Sequence, residues 1–315
     1  MSLERALELA ERGRRTTHPN PVVGCVLVRA DTVVGEAWHE LAGGPHAEVS
    51  ALEHAGDRAR NATAYVTMEP CAHHGRTPPC TDALIEAGVA AVLVGCRDPN
   101  REAGGGLDRL RAAGVEVAVD DGELGFECRA QNEAWRTWIS LGRPFVTLKL
   151  AVTVDARVSV RGERWVSGEA SRRRVHELRA QVDAVAVGMG TVRADDPKLT
   201  ARDVDAAQQP RRIVFGRGPL PPGSELELRG GALEDELAAL ADEGVQSLLL
   251  EGGPTIAASF LQADLVDKVL FFVAPKVGGS GPWFRATLDA PLELTRLRAE
   301  QVGEDVLLTA YVHEP

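Results

Sequence analysis

The chain has 315 residues, of which 44% are hydrophobic and 26% are charged, and both fractions are ordinary for a globular protein. At roughly 150 residues per domain, this length predicts two domains, each large enough to bury its own core. The formal net charge of −11 disfavours a general polynucleotide-binding surface. With five cysteines, no signal peptide and no long apolar run, the sequence predicts a cytoplasmic protein without membrane partners, in which disulfides are disfavoured.

Helices and strands alternate in the first half of the chain. Apolar spacing predicts a helix over 2–13 that ends on a glycine, followed by a hairpin with strands over 22–29 and 32–35. The pattern then predicts helices over 46–55, from 80, over 107–113 and over 124–141, and strands over 64–67, 90–95 and 115–119. A sheet with helices on both faces is the arrangement we expect.

The best domain boundary is Gly142-Arg143-Pro144, because Gly and Pro end the helical pattern and a new apolar strand begins at Phe145. We therefore predict one domain over 1–143 and a second over 144–315. In the second domain the pattern predicts strands over 145–151, 184–188, 212–215 and 247–250, helices over 169–180 and 255–261, and a polar loop over 190–197.

Four residues of the first domain combine metal-ligand and acid–base chemistry: His46, Glu48, Cys71 and Cys80. One His and two Cys supply three zinc ligands, which leaves the fourth tetrahedral position open for water, as a catalytic site requires. The Glu need not bind the metal and can carry protons instead. This set matches the zinc-deaminase pattern, in which an activated water attacks a ring carbon that bears an amino group.

The spacing of these residues departs from the usual P-C-x-x-C element, because eight residues separate Cys71 from Cys80. Pro79 and the apolar spacing that follows Cys80 predict that this cysteine opens a helix, whose N-terminus favours the metal-binding thiolate. His46 likewise begins a helical run after the breaker Gly43-Gly44-Pro45.

Other interpretations of the same residues stay open at this point. Buried cysteines are common small hydrophobes, and a pair of them can form a disulfide or a structural zinc knuckle. A fourth protein ligand, such as His73 or His74, would close the metal site and favour a non-enzymatic scaffold. A nucleoside or nucleic-acid base deaminase with an unrelated C-terminal domain is a further alternative, which the negative charge disfavours.

The clearest binding feature of the second half is Glu251-Gly252-Gly253-Pro254-Thr255, between a strand and a helix. Glycines at such a junction expose backbone N–H groups at a helix N-terminus, which suits the phosphates of a dinucleotide. Because this run is not the G-x-G-x-x-G fingerprint, a Rossmann domain is not predicted. Lys149 stands alone among apolar residues of a strand, so it either snorkels at a sheet edge or lies in a pocket.

The chain resembles the bifunctional deaminase/reductase family of riboflavin biosynthesis. The resemblance rests on Thr17-His18-Pro19-Asn20-Pro21-Val22-Val23-Gly24, on Gly44-Pro45-His46-Ala47-Glu48, and on the run from Glu69 to Cys80 with its long loop between the cysteines. In the second half it rests on Lys149 through Asp155, Trp165, Asp195-Asp196-Pro197 and Glu251-Gly252-Gly253-Pro254-Thr255.

This resemblance implies an α/β protein, with an N-terminal cytidine-deaminase-like αβα sandwich and a C-terminal dihydrofolate-reductase-like domain. It implies zinc-dependent deamination of 2,5-diamino-6-(5-phosphoribosylamino)pyrimidin-4(3H)-one. NADPH then reduces the ribosyl group of 5-amino-6-(5-phosphoribosylamino)uracil to ribityl. The partners are therefore small phosphoribosylaminopyrimidines, and a homo-oligomer is compatible with the sequence.

The resemblance also assigns residues to roles. Zinc is held by His46, Cys71 and Cys80, with Glu48 as the acid/base group, and Lys149 and Glu251 form a polar pair at the ribose. Substrate contacts fall to Asn20, Arg76, Thr77, Glu163, Arg179, Leu199, Arg202 and Glu251, although a turn Asn and a solvated loop Arg are the competing interpretations of Asn20 and Arg76. Cofactor contacts fall to Val152, Trp165, Thr191, Asp195, Gly253, Pro254, Thr255, Ile256, Ala257, Ala258 and Ser259.

Two positions depart from the family pattern. Thr153-Val154-Asp155-Ala156 stands where the family commonly has Ser-Leu-Asp-Gly, a change that conserves shape. Gly216-Arg217 stands where the family has Asp-Ser, which either removes a cofactor contact or supplies an Arg to the 2′-phosphate of NADPH. A monofunctional zinc pyrimidine deaminase with a degenerate reductase domain is therefore the alternative.

Overall fold

The computed structural model of the protein describes residues 2–74, 78–100, 102–284, 288 and 290–315. The chain forms two compact units, one that runs to Leu141 and includes Pro315, and one over Gly142–Glu314. In the described residues, no helix combines the length and the apolar character that a membrane crossing requires.

The first unit is built on a five-stranded sheet with the order β2-β1-β3-β4-β5. Its strands are β1 Gly24–Arg29, β2 Thr32–Trp38, β3 Thr63–Val66, β4 Ala91–Val94 and β5 Glu116–Val119. β1 pairs antiparallel with β2 and β3, whereas β3, β4 and β5 run parallel. The predicted hairpin and the three following strands are therefore present, each within a few residues of its predicted bounds.

Helices cover both faces of this sheet, as predicted. Their bounds are α1 Ser2–Glu11, α2 Ala47–Ala55, α3 Cys80–Glu86, α4 Gly106–Ala112, α5 Glu123–Gln131 and α6 Glu133–Leu141. The apolar faces of α2, α3 and α4 form one core with alternate strand residues, and those of α1, α5 and α6 form another core on the opposite face. The period-two alternation of the strands supplies both cores.

The prediction of one helix over 124–141 is wrong, because the chain breaks it at Asn132. This residue leaves helical geometry, with φ −114° and ψ 22°. Its side chain accepts a hydrogen bond from the Val22 backbone N–H and donates one to the Val22 carbonyl, both at 2.9 Å. A buried Asn that satisfies two backbone groups of a distant loop stabilises the break.

The second unit contains an eight-stranded sheet with the order β12-β13-β11-β6-β10-β7-β8-β9. Its strands are β6 Phe145–Thr153, β7 Ala184–Gly188, β8 Arg211–Phe215, β9 Glu227–Arg229, β10 Ser247–Leu250, β11 Lys268–Ala274, β12 Thr295–Val302 and β13 Asp305–Tyr311. Six neighbouring strands of this sheet, in the spatial order β11-β6-β10-β7-β8-β9, are mutually parallel. Their carboxyl ends therefore meet at one edge of the sheet.

Helices also cover both faces of the second sheet. Their bounds are α7 Glu169–Arg179, α8 Met189–Asp195, α9 Leu233–Asp242 and α10 Pro254–Gln262. α9 and α10 pack on one face, where Leu237 and Phe260 are fully buried, and α7 and α8 contribute Val175 and Val192 to the other. No element was predicted from the sequence for β9, for α9 or for the chain beyond residue 262.

The predicted polar loop over 190–197 is also wrong, because most of it is helix α8. Met189 and Val192, three residues apart, are buried and anchor a short helix on the sheet. The helix ends at Asp196, which adopts a left-handed conformation with φ 40°, and Pro197 follows. The Gly, Asp and Pro residues of this stretch lie at the two ends of the helix. Because such residues are typical of loops, they led to a loop prediction in spite of the apolar pair Met189 and Val192.

A buried ionic cluster ties three strand ends of this unit together. Asp267, only 2% exposed, accepts two 2.7 Å hydrogen bonds from the Arg143 guanidinium and one of 2.8 Å from the Val146 N–H. His313 Nδ1 lies 3.4 Å from the same carboxylate. Burial would raise the Asp267 pKa, but the hydrogen bonds from Arg143 and His313 lower it.

We expect His313→Gln to destabilise the second unit at pH 6 and to have little effect at pH 9. The hydrogen bond to Asp267 raises the His313 pKa, so protonation of the ring favours the folded state. That contribution is fully present below the unfolded pKa of about 6.5 and is lost as pH rises through the folded value. Because the side chain is 40% exposed, the effect should stay under about 1 kcal/mol. Denaturant unfolding at both pH values measures it, and an equal loss at both would contradict this role.

Candidate functional site

The first unit contains a cavity of about 510 Å³ that brings the predicted deaminase residues together. Asn20, His46, Glu48 and Cys71 line it. Its floor carries this polar set, and Trp135, Trp138 and Ile139 of α6 contribute apolar surface. A concave site with an apolar wall and a few convergent polar groups suits a flat heterocycle.

Local sequence places each of the three metal-ligand candidates. His46 is the N-cap of α2 and has extended backbone, with φ −75° and ψ 161°, directly after the Gly43-Gly44-Pro45 turn. Cys80 is the first residue of α3 and follows Pro79, as predicted. Cys71 lies in the segment after β3, where Gly106 allows α4 to approach, since a Cβ on this glycine would lie 1.9 Å from the Pro70 carbonyl oxygen.

The three candidate ligand atoms form a set that fits zinc. His46 Nδ1 lies 3.1 Å from Cys80 Sγ and 3.6 Å from Cys71 Sγ, and all three atoms lie within 4.8 Å of one another. Tetrahedral zinc, with Zn–S of about 2.3 Å and Zn–N of about 2.1 Å, requires N···S separations of about 3.6 Å. One imidazole and two thiolates are also the soft donor set that zinc prefers.

The surroundings shift the pKa values of the two thiols in opposite directions. Hydrogen bonding from Cys80, and then from His46, lowers the Cys71 pKa to about 4, although burial opposes the shift. The Cys80 pKa is raised, because its thiol proton is donated to Cys71 and because the group is buried. Zinc binding replaces that proton, since the thiolate is the ligand form.

Glu48 lies in the first turn of α2 and is only 3% exposed. Burial raises its pKa, and the charge of His46 opposes the shift. It lines the same cavity as His46 and Cys71, but it does not belong to the three-residue group of ligand atoms. A buried carboxylate beside the ligand set, and outside it, is suited to proton transfer.

Asn20 is oriented by His39, a residue that the sequence analysis missed. His39 Nδ1 lies 2.9 Å from the Pro45 carbonyl oxygen, so that nitrogen carries the proton. Its Nε2 then accepts from the Asn20 Nδ2 at 3.2 Å. Burial lowers the His39 pKa, which favours this neutral form. The Asn20 side-chain oxygen is left to accept a hydrogen bond in the cavity, and the only sequence signal was a His at the end of a strand.

A second set of missed polar residues also lines the cavity. Glu69 accepts hydrogen bonds from the backbone N–H groups of Leu107 and Asp98, at 3.1 and 3.3 Å, so its role is to fix the two segments. Asp98 and Asn100 line the cavity beside it. Burial raises the Asp98 pKa to about 6. The sequence signal that could have indicated these residues is the short Asp-Pro-Asn run after β4.

Not every deaminase prediction is tested by the described residues. The predicted substrate residues Arg76 and Thr77 lie outside them. His73 and His74 lie within them, yet neither joins the candidate ligand set, and His46, Cys71 and Cys80 form the only group that could hold a metal in that part of the chain. The described geometry therefore favours an open metal site over the closed scaffold alternative.

In the second unit, Lys149 and Glu251 meet in a buried cluster with Arg179. Lys149 Nζ lies 3.2 Å from Glu251 Oε2, and Arg179 holds both carboxylate oxygens at 2.5 and 3.0 Å. Burial would raise the Glu251 pKa, but the charges of Lys149 and Arg179 lower it to about 2. Since β6 is an interior strand and the Lys149 side chain is only 15% exposed, Lys149 does not snorkel at a sheet edge.

The segment over residues 199–202 is held against this cluster. Arg179 Nη1 donates to the Thr200 carbonyl at 3.0 Å, and His176 Nδ1 lies 3.2 Å from the same oxygen. Leu199 is 2% exposed and has a left-handed φ of 53°. Glu251 and Thr200 therefore both accept hydrogen bonds from the guanidinium of Arg179, one of the predicted substrate residues.

The junction between β10 and α10 has the features that a dinucleotide phosphate requires. Gly253 is the N-cap of a nine-residue helix, and Pro254 occupies its first turn. A Cβ on Gly253 would lie 3.5 Å from Thr191 Oγ1, so the two predicted cofactor residues face one space. The remaining predicted residues, Thr255, Ile256, Ala257, Ala258 and Ser259, form the first turns of the same helix.

Four other predicted residues of this unit occupy separate positions. Glu163 forms an ion pair with Lys276. Trp165 is half exposed and lies between the guanidinium groups of Arg164 and Arg172, at 5.1 and 5.6 Å. Val152 is buried near the end of β6, and Asp195 is the last residue of α8.

Two protein families match this chain. Residues 144–308 match the RibD C-terminal domain, and residues 2–96 match the zinc-binding region of cytidine and deoxycytidylate deaminases. The riboflavin biosynthesis protein RibD of Escherichia coli (strain K12) is 39% identical over 359 residues, with 97% of each chain covered. That of Aquifex aeolicus (strain VF5) is 38% identical over 349 residues, with 97% of this chain and 96% of its own covered.

Solved structures agree with these matches. The diaminohydroxyphosphoribosylaminopyrimidine deaminase/5-amino-6-(5-phosphoribosylamino)uracil reductase of Thermotoga maritima superposes with a TM-score of 0.83 at 34% identity, covering 98% of this chain and 97% of its own. Acinetobacter baumannii RibD superposes with a TM-score of 0.80 at 36% identity and the same coverage.

Fold and matched regions define a two-domain enzyme, in which a zinc-dependent deaminase domain precedes an NADPH-dependent reductase domain. The chain belongs to the RibD family of bifunctional deaminase/reductases of riboflavin biosynthesis. This confirms the family resemblance, the fold class, both cofactors and the bifunctional activity. A monofunctional deaminase with a degenerate reductase domain is not favoured.

We expect Cys80→Ala to abolish stoichiometric zinc binding, because two protein ligands cannot replace the three-point site. Cys96→Ala is the matched control, since Cys96 is equally buried but its thiol donates to the Thr67 carbonyl, away from the ligand set. Metal analysis of the purified variants measures the result. Full zinc content in Cys80→Ala, or its loss in Cys96→Ala, would contradict the assigned ligands.

Proposed function

We propose that the first domain of this chain hydrolytically removes the 2-amino group of 2,5-diamino-6-(5-phosphoribosylamino)pyrimidin-4(3H)-one. The observation that carries the proposal is that His46, Cys71 and Glu48 line one cavity, while the Cys80 thiol lies within reach of the same metal as His46 and Cys71. The second domain then reduces the ribosyl group of 5-amino-6-(5-phosphoribosylamino)uracil to ribityl with NADPH. The substrate named for the Thermotoga maritima relative supports this pair of reactions.

In the deaminase site, His46, Cys71 and Cys80 would hold zinc, which when bound would lower the pKa of the attacking water. Glu48 takes a proton from the attacking water, delivers it to the ring nitrogen and assists the departure of ammonia. Asn20, oriented by His39, offers its side-chain oxygen to an N–H of the substrate. Arg76 and Thr77 serve the ribose phosphate, a role that rests on their place between the two cysteines.

In the reductase site, Lys149 and Glu251 contact the ribose, and Arg202, Leu199, Arg179 and Glu163 complete the substrate site. The N-terminus of α10 binds the cofactor pyrophosphate, and Val152, Trp165, Thr191 and Asp195 contact the remainder of the cofactor. The hydride comes from NADPH, so the protein's task is to hold C1′ against it and to exclude water. The buried Glu251 cluster provides a fixed polar surface for that purpose.

We propose that the deaminase domain covers 1–143 and the reductase domain 144–315. The compact units, divided between Leu141 and Gly142, and the start of the RibD C-terminal match at residue 144 both support a boundary at this position.

We expect Glu48→Gln to retain zinc and to lose ammonia release by about 10²- to 10⁴-fold, because it removes the proton carrier alone. Reduction of the deaminated intermediate should be unchanged in this variant. Lys149→Met should show the reverse pattern, since Arg179 still neutralises Glu251 and the fold is kept. Separate assays of ammonia and of NADPH consumption distinguish the two. Full ammonia release by Glu48→Gln would remove its acid/base role.

We further propose that the protein acts in the cytoplasm, on small molecules, without nucleic-acid or membrane partners. All five cysteines are free, as expected of a reducing compartment. The net charge of −11 opposes binding to polynucleotides and to anionic lipid surfaces.

We also propose that the chain forms a homo-oligomer through strand β12. This strand ends the sheet, and every residue over 295–301 is exposed, including Leu297 at 67%. An exposed edge strand is a template for pairing with another chain. If two copies pair antiparallel about Ala299, Arg298 of each copy lies opposite Glu300 of the other, so the strand is complementary to itself.

Charge exchange tests this interface. Arg298→Glu places like charges opposite each other and should shift the mass measured by light scattering towards the monomer. The double variant Arg298→Glu/Glu300→Arg restores opposite charges and should restore the oligomer. A monomeric parent chain, or a double variant no better than the single one, would contradict the proposed pairing.

A further inference from the structure

Two exposed arginines of the second unit differ from their neighbours in having no carboxylate partner. On β8 and β9, Arg211, Arg212 and Arg229 all form ion pairs with nearby glutamates. Arg193 and Arg217 form none with a carboxylate of the described residues. In a chain of net charge −11, two unpaired guanidinium groups at one place create a local site for an anion.

A Gly-Arg-Gly turn brings the two arginines together. Arg193 Nη2 reaches the Arg217 carbonyl oxygen at 3.5 Å, and Arg217 Nε donates to the Gly230 carbonyl at 3.2 Å. Gly218 has a φ of 115°, and a Cβ there would lie 3.0 Å from Arg193 Nη2. Glycine adopts this positive φ without strain, so Gly218 suits the turn against which Arg193 lies.

The turn lies at the edge of the sheet where the cofactor phosphates are expected. Gly188 at the end of β7 pairs with Phe215 at the end of β8, and Leu250 at the end of β10 pairs with Ala186 of β7. Because adjacent strands are about 4.8 Å apart, the end of β8 lies roughly 10 Å from the end of β10, where α10 begins. A pyrophosphate at α10 would thus have its adenosine ribose between the helix and the turn.

We infer that Arg217, supported by Arg193, binds the 2′-phosphate of NADPH and makes this enzyme select NADPH over NADH. The inference rests on the proposed binding of the pyrophosphate at the N-terminus of α10. The 2′-phosphate is the group by which the two cofactors differ, and it carries two acidic oxygens that a guanidinium can hold bidentately. Arg217 contacts the phosphate, and Arg193 fixes the turn and adds a second positive charge.

The test is the affinity of the full-length protein for NADP⁺ and NAD⁺, measured by isothermal titration calorimetry. Arg217→Gln should weaken NADP⁺ by about tenfold to a hundredfold, the usual range for losing a hydrogen bond to a charged group, and should leave NAD⁺ unchanged. Arg193→Gln should show a smaller loss in the same direction. The double variant should bind both nucleotides with similar affinity.

Arg212→Gln is the matched control, because it removes the same charge from the opposite end of β8, where Arg212 pairs with Glu225. This control should leave both affinities unchanged. An Arg217→Gln protein with the parental ratio of NADP⁺ to NAD⁺ affinity would overturn the inference and leave the reductase function intact. An equal loss for both nucleotides would also overturn it, since the residue would then support the turn alone. A parent chain that binds neither nucleotide would overturn the proposed reductase function as well.

Discussion

The structure of the deaminase domain depends on bringing one imidazole and two thiols within a few ångströms of one another. These side chains belong to the start of α2, the start of α3 and the segment after β3, which are far apart in sequence. Buried thiolates and a buried carboxylate repel one another, so this arrangement is costly without a cation. Zinc supplies that cation, and the packing of α2, α3 and α4 on one face of the sheet keeps the three ligands in place.

The reductase domain solves a related electrostatic problem without a metal. Glu251 is buried at the end of β10, and Lys149 and Arg179 offset its charge. Because six parallel strands end at the same edge, this cluster, the N-terminus of α10 and the Arg217 turn all lie along one line. A bound dinucleotide is long, and its nicotinamide, its pyrophosphate and its adenosine end each require a polar site along its length. The proposed sites for these three groups therefore follow one edge of the sheet.

Sequence reasoning succeeded where local pattern determines structure, and failed where a distant contact decides. The zinc residues were predicted because their types and helix starts are local properties. The break at Asn132 was missed because its cause is the backbone of Val22, 110 residues away. The orientation of Asn20 by His39 is likewise a tertiary contact. Strand β12 was also missed: its only apolar alternation is Leu297 and Ala299, and neither of its faces is buried within the chain.

The central claim is that zinc in this protein has three protein ligands and one open position. X-ray absorption spectroscopy of the zinc-loaded protein tests it most directly, because the spectrum counts sulfur and lighter ligands around the metal. We predict two sulfur ligands at about 2.3 Å and two nitrogen or oxygen ligands near 2.0 Å, one of them exchangeable with an added anion. Three or more sulfur ligands, or a second histidine in place of the exchangeable ligand, would contradict the account.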